Sequence, residues 1–283
     1  MTSVKIVTDS TADVPPQLLQ ELDIEVVPLY INFGDETYRD GIDINAESFN
    51  KMLSESDVHP TTSAPPTTVF EQTYRRLARS YDAIISIHLS GHLSSAFRAA
   101  AGARQKLPPS LAKIDVVDTH SASLGVGLTV IAAARMAKAG LPVEEILRDV
   151  QHRVQHTHML YFVDTIEYLE RSGRISLAAG MVGSMSRIKP LLLIDQGHIV
   201  PYERTRTRAK AIDGLFTFVE DFPHVDEIAV VYSTTPEDVE KVLEKVNILF
   251  PREQVLIAQY GPSIAVHLGS GAVGIVVYEG HEP

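Results

Sequence analysis

The chain contains no cysteine. That absence excludes disulfides, thiolate nucleophiles, iron–sulfur clusters and cysteine-ligated zinc, and it leaves oxygen, imidazole and guanidinium groups to carry any chemistry. No apolar run approaches the ~20 residues that span a bilayer. The opening residues, MTSVKIVTDSTADVPP, lack the basic start, long apolar segment and small-residue cleavage site of a secretory signal, so a cytoplasmic protein is expected. Basic charge is in short supply as well. With 25 Lys and Arg against 36 Asp and Glu, the formal charge is −11, and an acidic chain repels the phosphate backbone, which argues against nucleic acid as a general partner. No G-x-x-x-x-G-K-[ST] loop for ATP and no G-x-S-x-G nucleophile elbow occurs. An ATP-using activity would need another subunit.

What is present, 283 residues with 45% apolar and 22% charged side chains, suits a soluble globular protein large enough for two compact units of roughly 100–200 residues. In the first half, short β-branched runs alternate with helical patterns, the signature of βα units around a mostly parallel sheet. VKIV leads through TDSTAD to a helix opening at PPQLLQEL, where prolines suit a first turn without internal N–H partners. DAIISIHL leads through SGHLSS to AFRAAAGARQKL, and KIDVVD leads through THSASLGVG to LTVIAAARMAKAG, which Gly140 and Pro142 end. All three loops are expected at the carboxyl ends of parallel strands, where open α/β sheets hold their ligands. Their serines and threonines can cap the helices or donate to an anion.

The second half reads differently, and a boundary is placed near residue 155. Asp164 and Glu167 have capping-box spacing before a short helix that Gly173 stops. LAAGMVGSM supplies small residues and methionine for a flexible ligand or for ordinary packing. KPLLLIDQGHIVPYERTRTR reads as a hairpin, followed by a helix near 208–220, strands at EIAVVYS, QVLIA and VGIVVYE, and a helix begun by TTPEDVEKV. GSGAVG, residues 269–274, imitates a dinucleotide motif but continues into IVVYE instead of a helix, so no nucleotide site is assigned. His152 and His156, four apart, read as a metal-binding pair or as a solvated helix face. His267 reads as a satisfied core histidine or as a donor to a buried carboxylate. Arg171 and Arg174 read as cations at a helix C-terminus. Arg204, Arg206 and Arg208, two apart, would turn to one side of an extended segment as a docking stripe for a charged partner.

Seven segments in order, VTDSTADVP, TTSAPPTTVF, SGHLSSAF, VVDTHSASLGVG, FVDTIEYLERSGRIS, RIKPLLLIDQGHI and GPSIAVHLGSGAVGI, make the chain resemble the DegV family, which includes the fatty-acid-binding subunits of bacterial fatty acid kinase. The resemblance implies a two-domain α/β fold: residues 1–155 with a mostly parallel sheet and flanking helices, and residues 156–283 as an α+β domain with a mixed or antiparallel sheet. The resemblance places a long-chain acyl tail in an apolar tunnel between them. It assigns the carboxylate to Thr62, Ser63, Ser94, Arg171 and His267, and docking of an ATP-dependent fatty acid kinase subunit to Arg174 and Arg206, with Arg204 as the alternative. It implies a carrier with no catalytic residue, metal or cofactor of its own, whose ligand is the fatty acid and for which transient membrane contact is compatible. Ala64, Ser95 and Ala96 depart from the family pattern, which commonly has an amide, a glycine and a threonine there; head-group geometry or chain-length choice would feel the change. The rival reading is a small-molecule phosphotransferase or serine hydrolase using Ser94 with His267.

Overall fold

The computed structural model describes residues 3–175 and 188–281; LAAGMVGSM, residues 177–185, lies outside them. The N-terminal half holds a four-stranded sheet in the order β2 (Glu25–Val27), β1 (Val4–Asp9), β6 (Ala83–His88) and β7 (Lys113–Asp118). Every pairing in it is parallel, as the alternating βα pattern requires. β6 is buried at all six positions: helices α3 (Thr67–Leu77) and α4 (Ala96–Lys106) pack on one face and α5 (Leu124–Lys138) on the other. Beneath α3, a buried chain of hydrogen bonds runs from the Tyr74 hydroxyl to Ser86 Oγ at 2.8 Å, on to His88 Nε2 at 2.7 Å, and from His88 Nδ1 to Asp9 Oδ2 at 2.8 Å. Each buried polar group thereby gains a partner.

The C-terminal sheet has six strands, β10 (His198–Thr205), β9 (Lys189–Asp195), β8 (Thr157–Phe162), β13 (Val273–Tyr278), β11 (Glu227–Tyr232) and β12 (Leu256–Gln259), in that order. All its pairings are antiparallel except β11 with β12. Helices α8 (Arg208–Glu220) and α9 (Pro236–Val246) cover one face, while α5 contacts β8 and β11 on the other. α5 is therefore a shared layer. Leu124 and Leu128 enter the core next to the second sheet, and Val126, Val130 and Ile131 enter the core next to the first. A helix apolar all round is stable only with both faces covered. Gly127 makes its close fit feasible, since a Cβ there would meet the Ala12 carbonyl oxygen at 2.5 Å.

A third sheet, β4 (Glu36–Arg39), β3 (Tyr30–Phe33) and β5 (Thr61–Ser63), is antiparallel and short; nothing in the sequence analysis anticipated it. Two local expectations are corrected. Asp164 does not cap α7 (Glu167–Arg171), where the Glu167 N–H donates to Thr165 Oγ1 at 3.2 Å. Asp164 pairs instead with Lys189 and Arg208, each at 2.8 Å. The arginine stripe is broken for the same reason: Arg208 begins α8 and turns inward to Asp238, Asp164 and the Gly271 carbonyl, leaving Arg204 and Arg206 exposed without it.

Candidate functional site

An apolar pocket lies between the carboxyl end of the parallel sheet and the six-stranded sheet. Leu29, Leu89, Leu93, Leu192, Ile194 and Ile199 form its greasy wall, and Thr62, Ser94, Arg174 and His267 supply polar groups from four separate chain segments. Its enclosed space is about 60 Å³, which holds a handful of water-sized groups at roughly 10–15 Å³ each.

Each polar group arrives by a local rule. Thr62 lies on β5, opposite Ile31 of β3, and its Oγ1 is 2.9 Å from His267 Nε2. Alternate residues of a strand face opposite sides, so Ser63 cannot follow Thr62 inward. It is exposed, and Asn32 Nδ2 donates to its Oγ at 3.3 Å. Ser94 sits in the turn after β6, where its Oγ accepts from the Ala96 N–H at 3.2 Å and keeps its own proton to donate.

The two arginines around Gly173 are placed apart. Arg171 is exposed, pairs with Glu167 on its own helix and does not line the apolar pocket. The chain then makes a Schellman turn: the Arg174 N–H bonds the Leu169 carbonyl at 3.0 Å and the Gly173 N–H bonds the Glu170 carbonyl at 3.0 Å, with Gly173 at φ +69°. That turn sends Arg174 back toward the serine loop, where its Nε donates to the Leu93 carbonyl at 3.3 Å.

His267 rides on α10 (Pro262–Leu268), whose beginning is held by two carboxylates from the first 40 residues. The Gly261 N–H donates to Asp13 Oδ1 at 2.8 Å and the Ser263 N–H to Asp40 Oδ2 at 3.3 Å; Ser123 Oγ donates to the other Asp13 oxygen. Neither acid was singled out from the sequence, although Asp13 lies in the quoted TDSTAD loop, because its partners are far along the chain. Burial, reinforced by the nearby charges of Arg174 and His59, pushes His267 down to about 3, so its ring is neutral at neutral pH. Ser94 and His267 are not hydrogen-bonded to each other: the imidazole faces Thr62 and the hydroxyl faces Ala96. An imidazole so reluctant to take a proton is a poor general base, which counts against the hydrolase reading. Three buried polar atoms of pocket-lining residues, Tyr161 Oη, Ser263 Oγ and His267 Nδ1, have no hydrogen-bond partner among the described residues.

His152 and His156 stack with ring centroids 4.0 Å apart, His152 meeting the Tyr278 hydroxyl at 3.1 Å and His156 the His152 carbonyl at 2.8 Å. Among the described residues no group of three His, Asp or Glu side chains is arranged to hold a metal ion, and no helix is long and apolar enough to cross a membrane.

Asp40 gives the site a pH dependence. Burial, helped by the Asp9 charge, outweighs the hydrogen bond from the Ser263 N–H and pushes its carboxyl up to about 6 from 3.8. The folded protein therefore keeps this proton where the unfolded chain has lost it, and stability falls as pH rises from about 4 through 6, by about 3 kcal/mol for a shift of this size. Asp40→Asn keeps an acceptor and removes the charge. Thermal unfolding from pH 4 to 8 should show the variant gaining on the wild type across that window and more stable at pH 8; parallel profiles would contradict it.

The model of the DegV family, described as uncharacterised proteins, matches residues 3–280. Protein DegV of Bacillus subtilis is 33% identical over 279 residues, 96% of this chain and 98% of that protein. A DegV domain-containing protein of Streptomyces coelicolor is 36% identical over 280 residues, 97% of this chain and 98% of its own. Among solved structures, a DegV family protein from Thermus thermophilus described by its fatty acid binding superposes with a TM-score of 0.90 at 32% identity, covering 99% of this chain and 100% of that one. DegV of Bacillus subtilis, described as a fatty acid binding protein, gives 0.88 at 32% identity, covering 98% and 100%. Family match, sequence identity and superposition all run through nearly the whole length, and the chain belongs to the DegV family.

Proposed function

We propose that the chain binds a long-chain fatty acid between residues 1–155 and 156–283 and presents its carboxylate to a separate ATP-dependent kinase. The carrying observation is the convergence of Thr62, Ser94, Arg174 and His267 at one apolar pocket. A fatty acid is an anion on an apolar rod, so a host needs donors at one end and a dry wall along the rest. The unpartnered atoms of Tyr161, Ser263 and His267 support a polar ligand atom among them, because a buried group left unpaired costs about 1–3 kcal/mol. The fatty-acid-binding descriptions of the Thermus and Bacillus relatives support the same ligand.

The tail supplies most of the affinity. At roughly 0.8 kcal/mol per buried CH₂, a sixteen-carbon chain contributes about 12 kcal/mol before ordering costs. Since the enclosed space is about 60 Å³, entry of such a tail parts side chains of the apolar wall. Arg174 takes the guanidinium role at the head group that the resemblance gave to Arg171. In the partner's reaction a carboxylate oxygen attacks the γ-phosphorus of ATP and ADP leaves, giving an acyl phosphate. The chain is then a carrier of the cytoplasm, in transient contact with membrane as the source of its ligand. Arg204 and Arg206, both exposed and in no ion pair among the described residues, offer the kinase a cationic docking surface.

Mass spectrometry of an organic extract of the purified protein should find a long-chain fatty acid, and Thr62→Val or Ser94→Ala should weaken palmitate binding about tenfold through loss of one charged hydrogen bond. An extract without acid, together with failure of palmitate and oleate to bind, would contradict the reading. Arg206→Ala should retain acid binding and lose acyl phosphate formation with the partner kinase; unchanged formation would remove this surface from the account.

A further inference from the structure

A second cavity of about 290 Å³ opens beside the first. His92, Ser94, Ser95, Arg98, Arg174 and His198 give it a polar wall that holds no carboxylate among the described residues. Leu93, Ser94, Arg174 and Ile199 line both cavities, so the two share a wall where the carboxylate of a bound acid is proposed to sit. In a chain of net charge −11, a recess with two guanidiniums, two imidazoles and no acid among the described residues of its lining is a local field for anions.

The basic groups are held by neutral partners. Arg98 donates to the Gly91 carbonyl, and Arg174 to the Leu93 and Ser172 carbonyls. Among the described residues neither pairs with a carboxylate, whereas Arg153, Arg171 and Arg208 all do. Each guanidinium has five donors in a planar fork, so N–H groups remain for a ligand. Asp118, the acid next to this loop, is occupied by the Gly91 N–H at 3.0 Å and the His120 N–H at 2.9 Å.

The imidazoles are brought together by the hairpin between β9 and β10. Ser90 Oγ donates to the Gly197 carbonyl at 2.8 Å, and Gly197, at φ +80°, lies so close to the serine loop that a Cβ would meet Ser90 Oγ at 2.4 Å. This contact sets the His198 ring 3.9 Å from that of His92. α4 also starts here, with no side-chain cap from Ser95, and its positive end adds to the field. Guanidinium forks and a helix start match the several oxygens of a phosphate better than a lone carboxylate.

We propose that this polar cavity is a subsite for a phosphate-class oxyanion lying directly beyond the carboxylate of the bound acid. It rests on the fatty-acid reading above. The oxyanion can be a phosphoryl group carried on that carboxylate or free inorganic phosphate. His92 and Arg98 line only the polar cavity, which separates their effect from acid binding.

The test compares palmitate with a 2-oxoalkylphosphonate of equal tail length, which keeps the carbonyl and replaces the bridging oxygen of an acyl phosphate by CH₂. On the full chain the phosphonate should bind about tenfold tighter, the factor expected of one additional charged hydrogen bond. His92→Ala and Arg98→Ala should each abolish that advantage while leaving palmitate affinity within about twofold. Phosphorus NMR of inorganic phosphate added to palmitate-loaded protein distinguishes the sources. Line broadening lost in Arg98→Ala assigns the subsite to free phosphate as well, and no broadening with the phosphonate advantage intact assigns it to the phosphorylated acid alone. Phosphonate binding no tighter than palmitate, or substitutions that weaken both equally, would overturn the subsite and leave the fatty-acid reading standing. Failure of both ligands to bind the wild type would overturn the two together.

Discussion

A buried carboxylate must find donors, and Asp13 finds them on two distant parts of the chain, the Ser123 hydroxyl before α5 and the Gly261 N–H before α10. Burial pushes Asp13 well above the usual carboxylate range despite these bonds. α10 has seven residues, too few to hold a helix unaided, so its position comes from what grips it. Asp13 and Asp40 grip its start, and His267 near its other end meets Thr62. The head-group end of the pocket is thus a consequence of two acids that do not line it.

The rest of the site follows from α5 and the serine loop. With apolar residues on every side, α5 draws both sheets onto itself, and the loops at the carboxyl ends of the parallel strands are pressed against the second sheet. The hairpin turn at Gly197 and the Schellman turn at Gly173 then deliver His198 and Arg174 to the serine loop. Small backbone devices place Arg174 and His198, and burial keeps His267 neutral. A fixed cation beside neutral donors suits an anion that must enter and leave.

Much of this was legible in the sequence for physical reasons. The parallel βα units follow from alternating periodicities, the β9–β10 hairpin from DQG between apolar runs, and the end of α7 from Gly173. The third sheet was hidden because its strands are three or four residues long and largely polar. The resemblance gave Thr62 and Ser63 one role, and strand alternation parts them. Arg171 and Arg174 differ only in lying before or after a left-handed glycine, a geometry that spacing does not reveal. Arg208 left its stripe for Asp238 and Asp164, and Asp13 went unnoticed because its bond to Gly261 spans 248 positions. Local pattern is readable along the chain; partners that distant are not.

The central claim is that one acid head group lies among Thr62, Ser94, Arg174 and His267 with its tail hidden from water. Carbon NMR of carboxyl-labelled palmitate bound to the protein tests it most directly. The account predicts a single resonance displaced from that of free palmitate, unresponsive to pH between 5 and 8, and moved by substitution of any one of those four residues. A resonance at the free position that titrates with bulk pH and ignores all four substitutions would contradict it.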